Sequence, residues 1–159
     1  MKTIGSFIAA LLFSVFAFTT QYTGSGMWKS LSGESGEYSV VANIELGSDE
    51  SVLINQTVSW GDQTLAMGII LQKINDNFYN ILSAENNNKI GSGYCCQLEN
   101  EDKLCHNVTK WEQYVTESTI KKTADAIYRI GSKTNKETGE KIIWKDKLLP
   151  SNPPSPPVE

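Results

Sequence analysis

Three observations predict an all-β domain, an antiparallel β-sandwich with one disulfide-closed loop. Apolar and polar residues alternate over runs of five to ten, as on half-buried strands. Polar turn clusters separate those runs at spacings of about 10 residues, the rhythm of a sandwich. All three cysteines, Cys95, Cys96 and Cys105, fall in one polar stretch, which reads as a stapled loop held by the strands around it.

The chain opens with Met1-Lys2-Thr3 and continues into Ile4 to Phe18, 15 residues that are apolar apart from Ser6 and Ser14. A charged start and a short apolar run describe a secretory signal, shorter than the roughly 20 residues of a membrane-spanning helix. Ala17 and Thr19 are small enough for a cleavage site, so residues 1–19 are expected to be removed. The mature product is then expected in the secretory pathway, in the Golgi lumen or outside the cell, with no transmembrane segment of its own. Loss of Lys2 takes the 14 basic residues to 13, against 18 acidic ones, and only Arg129 is an arginine. No basic run exists along the sequence, which argues against nucleic acid and against an anionic membrane surface as partners.

Residues 20–36 are rich in Gly and Ser and read as an irregular lead-in with Trp28 as its largest side chain; the sandwich is expected over 37–149. Tyr38, Val40, Ala42, Ile44 and Leu46 alternate with polar neighbours. After Gly47-Ser48-Asp49-Glu50, the run Ser51 to Trp60 places Val52, Ile54, Gln56, Val58 and Trp60 on one face and Asn55 on the other. Trp60 is thereby assigned to the core. Asn55-Gln56-Thr57 is an N-glycosylation acceptor whose Asn lies on the polar side.

Gly61-Asp62-Gln63 closes a hairpin into Thr64 to Lys73. Both faces of that run are apolar or small, which predicts a central strand covered on both sides. Phe78 to Leu82 and Lys89 to Cys95 are further strands, the second leading into the cysteine loop. Asn107-Val108-Thr109 is a second sequon directly after it. Lys110 to Ile120 reads as a strand in preference to a helix. Ala126 to Ile130 and Lys141 to Asp146 add two more, and residues 150–159, with prolines at 150, 153, 154, 156 and 157, form an extended tail.

Candidate chemistry is sparse. His106 is the sole histidine and adjoins Cys105, but sequence neighbours on a strand point apart, so a nucleophilic pair is not expected. Glu99, Glu101 and Asp102 read as a solvated cluster. Cys95, Cys96, Cys105 and His106 do not have zinc-site spacing, and no oxygen ligands stand at the spacing of an EF-hand calcium loop. No catalytic residue, metal or cofactor is expected. A bond from Cys105 to Cys95 or Cys96 closes a loop of about ten residues, worth roughly 2–3 kcal/mol, and leaves one thiol over.

Leu53-Ile54-Asn55-Gln56-Thr57-Val58-Ser59-Trp60, then Met67-Gly68-Ile69-Ile70-Leu71-Gln72, then Tyr94-Cys95-Cys96 and Cys105 resemble the luminal region of the lung seven-transmembrane, or GOLD-domain seven-transmembrane, family. The resemblance covers about Val52 to Cys105 and lacks the family's further cysteine and its membrane helices. It implies a GOLD-type sandwich facing the Golgi lumen or cell exterior, a role in membrane trafficking or signalling, and no enzyme activity. The expected function is a non-catalytic binding domain whose partner is a luminal or extracellular protein. The rival is a small secreted carbohydrate-binding protein that stacks glycans on Trp111 and Trp144.

Overall fold

A computed structural model of the chain describes residues 19–151. Residues 1–18, which are all but the last residue of the expected leader, and all but the first two residues of the proline-rich tail therefore lie outside the described residues; Thr19, the expected cleavage residue, begins β1. Ten strands follow one another: β1 (Thr19–Ser30), β2 (Ser35–Leu46), β3 (Val52–Trp60), β4 (Gln63–Lys73), β5 (Phe78–Ser83), β6 (Lys89–Gln97), β7 (Lys103–Lys110), β8 (Tyr114–Lys122), β9 (Ile127–Asn135) and β10 (Lys141–Pro150). Each pairs antiparallel with its sequence neighbour, and β1 also pairs with β10, so the sheet closes on itself.

The sheet is thus a closed barrel and not an open sandwich, which corrects the expected fold class and, with it, the GOLD-type resemblance. The physical reason lies in residues 20–36, read as irregular. Most of that stretch is β1, which pairs with β2 from Thr19↔Glu45 to Lys29↔Ser35 and with β10 from Tyr22↔Pro150 to Ser30↔Ile142. Its inward positions are Tyr22, Gly24, Gly26, Trp28 and Ser30, less exposed than the residues between them. The alternation is of small against polar residues, so it carries no hydrophobic signal.

The inward glycines have a packing role. A Cβ on Gly26 would lie 2.5 Å from Cζ of Tyr38, and one on Gly131 would lie 2.5 Å from Cζ2 of Trp144. Each aromatic ring lies against the glycine of the adjacent strand, filling the space a side chain would take. At the β3–β4 hairpin, Trp60 pairs with Gln63, and Gly61 has φ 53°, as a two-residue loop requires of its first member.

Val40, Ala42, Ile127 and Leu148 form the buried core, with Tyr22, Tyr38, Ile44, Val58 and Ile120 packed against it. These residues come from opposite walls, so the bore is filled at that level. The inward sets predicted on β2 and β3 are those observed. The expected cover on the far side of β4 is not: a closed barrel has no second layer there, and Ala66 is exposed. Gly68 on that face is small because Asn55 and Ala84 crowd it.

The second half of the expected cysteine loop is strand. Residues Gln97 and Lys103 pair across a five-residue turn, and β7 runs back beside β6. Cys95 and Cys105 face each other directly in that ladder and are disulfide-bonded, leaving Cys96 free and exposed on the outer face. Replacing Cys105 by Ser is expected to cost about 2–3 kcal/mol of stability. Thermal melting checks this: the wild type in reductant should fall to the melting point of Cys105→Ser in either condition.

Candidate functional site

The strongest concentration of polar groups inside the barrel is a strut across it. Arg129 on β9 donates from Nε and Nη2 to the two carboxylate oxygens of Asp146 on β10, each at 2.8 Å. Its Nη1 donates to Oε1 of Gln56 on β3, also at 2.8 Å. Since β9 and β3 are not neighbours in the sheet, that bond spans the bore. Tyr38 on β2 donates its hydroxyl to Asp146 at 2.9 Å. The side chains of Arg129 and Asp146 are only 13% and 1% exposed, so the pair is desolvated, and its fork geometry supplies the hydrogen bonds that make burial tolerable. Burial, then the adjacent carboxylate, push the Tyr38 phenol far above its ordinary value.

A second buried contact ties the disulfide strands to β5. The Tyr79 hydroxyl donates to Oδ1 of Asn107, and it lies 3.9 Å from the sulfur of Cys95. Burial raises the Tyr79 phenol to about 12, against the smaller opposing pull of the Asn107 hydrogen bond.

At the end of the barrel formed by the β1–β2, β3–β4, β5–β6, β7–β8 and β9–β10 turns, inward positions are reached by solvent. Leu65 faces inward yet is 41% exposed. Trp28, Trp60, Trp144, Tyr114 and Lys133 are also inward-facing and half-buried. They form an aromatic mouth above the strut. Lys133 sits over the Tyr114 ring, its Nζ 3.8 Å from the centroid. Among the described residues it makes no ion pair, and burial lowers its pKa. Arg129 lies 5.7 Å from the Trp144 ring, linking mouth to strut.

The residues singled out in the sequence are dispersed. Trp144 is in the mouth, as is Trp60, which faces inward as expected. Trp111 lies in the β7–β8 turn with its indole N–H on Thr109 at 3.1 Å; β8 and β9 separate it from Trp144, so the two make no shared stacking platform. Cys105 points inward and His106 outward, where its ring lies 5.7 Å from that of Tyr94 and Nε2 is 3.3 Å from Glu117. Asp102 is buried and paired with Lys121 at 3.1 Å, apart from the exposed Glu99 and Glu101. Asn55 is exposed on the outer wall, with room for a glycan. Asn107 is 8% exposed and inward-facing, where a glycan would have to occupy the bore. The strut and Lys133 were missed because their roles need the closed barrel; an arginine and a lysine at alternating positions of one strand were the available signal.

These features define an up-and-down antiparallel barrel, the class exemplified by lipocalins, with an open aromatic mouth and a polar strut. A solved structure similar to it is an S-type phycobiliprotein lyase from Guillardia theta, with a TM-score of 0.63 and 12% identity over 91% of this chain and 93% of that chain. No family model and no curated protein matches the chain. The likeness is one of fold. It overturns the expectation that the architecture carries no enzyme, since that neighbour is a lyase, and the GOLD, Golgi and trafficking reading falls with the sandwich on which it rested.

Two outcomes test the interior. Asp146→Ala leaves Arg129 buried and unpaired and should cost about 3–5 kcal/mol in urea unfolding, whereas Arg129→Met with Asp146→Leu should cost less than that single change. Tyr79 holds its proton more tightly folded than unfolded. Its contribution is therefore intact below the ordinary tyrosine value of about 10 and is lost as pH rises through about 12. Ultraviolet titration should show a phenol that ionises near pH 12 and is absent in Tyr79→Phe, while Tyr38, raised further still, keeps its proton in both.

Proposed function

We propose that the barrel binds a small molecule at its mouth, one with a flat or extended apolar body and at least one carboxylate. The observation that carries this reading is Lys133, an inward-facing, partly desolvated cation with no carboxylate partner among the described residues. An ammonium so placed gains most from an anion that arrives with the ligand. Trp28, Trp60, Trp144 and Tyr114 supply stacking surface beside it. A shared fold with a protein named as a phycobiliprotein lyase supports a ligand of pigment-like shape. The Cys95–Cys105 disulfide supports residence in an oxidising compartment outside the cytosol, reached through the leader, with Asn55 the sequon open to glycosylation.

Biliverdin, a conjugated dicarboxylate, and its dimethyl ester separate the two features of the ligand. Tryptophan quenching should saturate with the acid, and the ester should bind about 10- to 150-fold more weakly, as expected for losing a charged hydrogen bond worth roughly 1.5–3 kcal/mol. In Lys133→Gln the two should bind alike. Equal affinity of acid and ester for the wild type, or no saturable quenching by the acid, overturns the reading.

A further inference from the structure

The surroundings of Lys133 equip its nitrogen for more than ion pairing. Nζ stands 3.8 Å from the centre of the Tyr114 ring, and the direct cross-strand neighbours of Lys133 are Thr116 on β8 and Ile142 on β10, neither of them charged. Asp146, deeper on the inward face of β10, is already held by Arg129 and Tyr38. Glu112, Glu137 and Glu140, in the turns at the rim, are exposed. Among the described residues no carboxylate forms an ion pair with Lys133.

An ammonium has no lone pair and cannot attack a carbonyl, whereas the free amine can. Burial lowers the pKa of Lys133, so at neutral pH more of it is free amine than of a solvated lysine. A carboxylate at ion-pair distance would hold the proton on, and none stands there. The ring of Trp144 fills the space at Gly131, two residues from Lys133 on the same inward face. A flat molecule stacked on that ring lies beside the amine, which turns addition to its carbonyl into a step within one complex.

We infer that Lys133 forms an imine with flat apolar aldehydes that enter the mouth. The nitrogen lone pair attacks the carbonyl carbon, the π pair of the C=O bond moves to oxygen, and a proton lost by nitrogen ends on that oxygen. The hydroxyl then leaves with the second nitrogen proton as one water, and a C=N bond remains. Nothing is oxidised or reduced. The inference rests on the proposed binding of a flat apolar body at the mouth and adds a second head group to it: the ammonium holds a carboxylate, and the amine captures an aldehyde.

The test adds equimolar naphthaldehyde to the whole protein at neutral pH, reduces imines with cyanoborohydride, and maps the labelled lysines by peptide mass spectrometry. Lys133 should carry at least about tenfold more naphthylmethyl label than Lys29, Lys145 or Lys147, which are exposed on the outer wall, because bound aldehyde already lies beside its nucleophile. In urea that preference should vanish. Lys133→Arg keeps a cation but forms no imine, so it should lose the preferred label and still show quenching by biliverdin. Far-UV circular dichroism checks its folding, and should it unfold, the wild type in buffer and in urea decides alone. Label spread evenly over the lysines of the folded protein overturns the inference, as does a Lys133 preference that survives in urea. Even labelling alongside saturable biliverdin binding removes the imine and leaves the carboxylate reading in place. Preferred labelling of Lys133 without biliverdin binding does the reverse.

Discussion

The ladder between β1 and β10 is the constraint on which the rest depends. Without it the chain is a ten-stranded meander with two open edges, each a row of unpaired amides and carbonyls. With it, every strand has two hydrogen-bonded neighbours, and the inward face of the sheet becomes an enclosed bore. Closure draws β9 and β3 to opposite walls of one space, which allows Arg129 to reach Gln56. The polar strut and the aromatic mouth are both products of that closure.

The bore is occupied unevenly along its length. Aliphatic side chains from β2, β8, β9 and β10 meet in the core, and the Arg129–Asp146–Tyr38 cluster lies beside them. Toward the β9–β10 turn the inward residues become aromatic or cationic and less fully buried. Rings against Gly26 and Gly131 take up space that side chains would otherwise fill. Stability is concentrated where the walls touch, while recognition chemistry is concentrated where they part.

Most strands were legible in the sequence because period-two alternation survives in them: Tyr38 to Leu46, Val52 to Trp60 and Leu65 to Leu71 show their inward faces directly. The closure was not legible. The inward positions of β1 include Gly24, Gly26 and Ser30, whose burial reflects the rings and backbone of adjacent strands and not their own hydrophobicity. A sandwich and a barrel share the same local pattern, and only the pairing of the first strand with the last separates them. Strand β7 was hidden for a related reason, since Asn107 and Thr109 are buried polar residues in positions that alternation assigns to solvent. Trp60 and Trp144 could be seen as candidates, but Lys133 and Arg129 acquire meaning only once a wall stands opposite them.

The strut also divides the bore by depth. Asp146 lies five residues along β10 from Lys141, or roughly 16 Å along the strand at its usual rise. The ligand proposed for the mouth, entering past Trp28 and Trp144, would therefore meet a salt-bridged floor near the middle of the cylinder. For such a ligand the compartment would act as a ruler, taking the head of a long molecule, leaving the remainder in solvent, and selecting by length before any contact with the aliphatic half below.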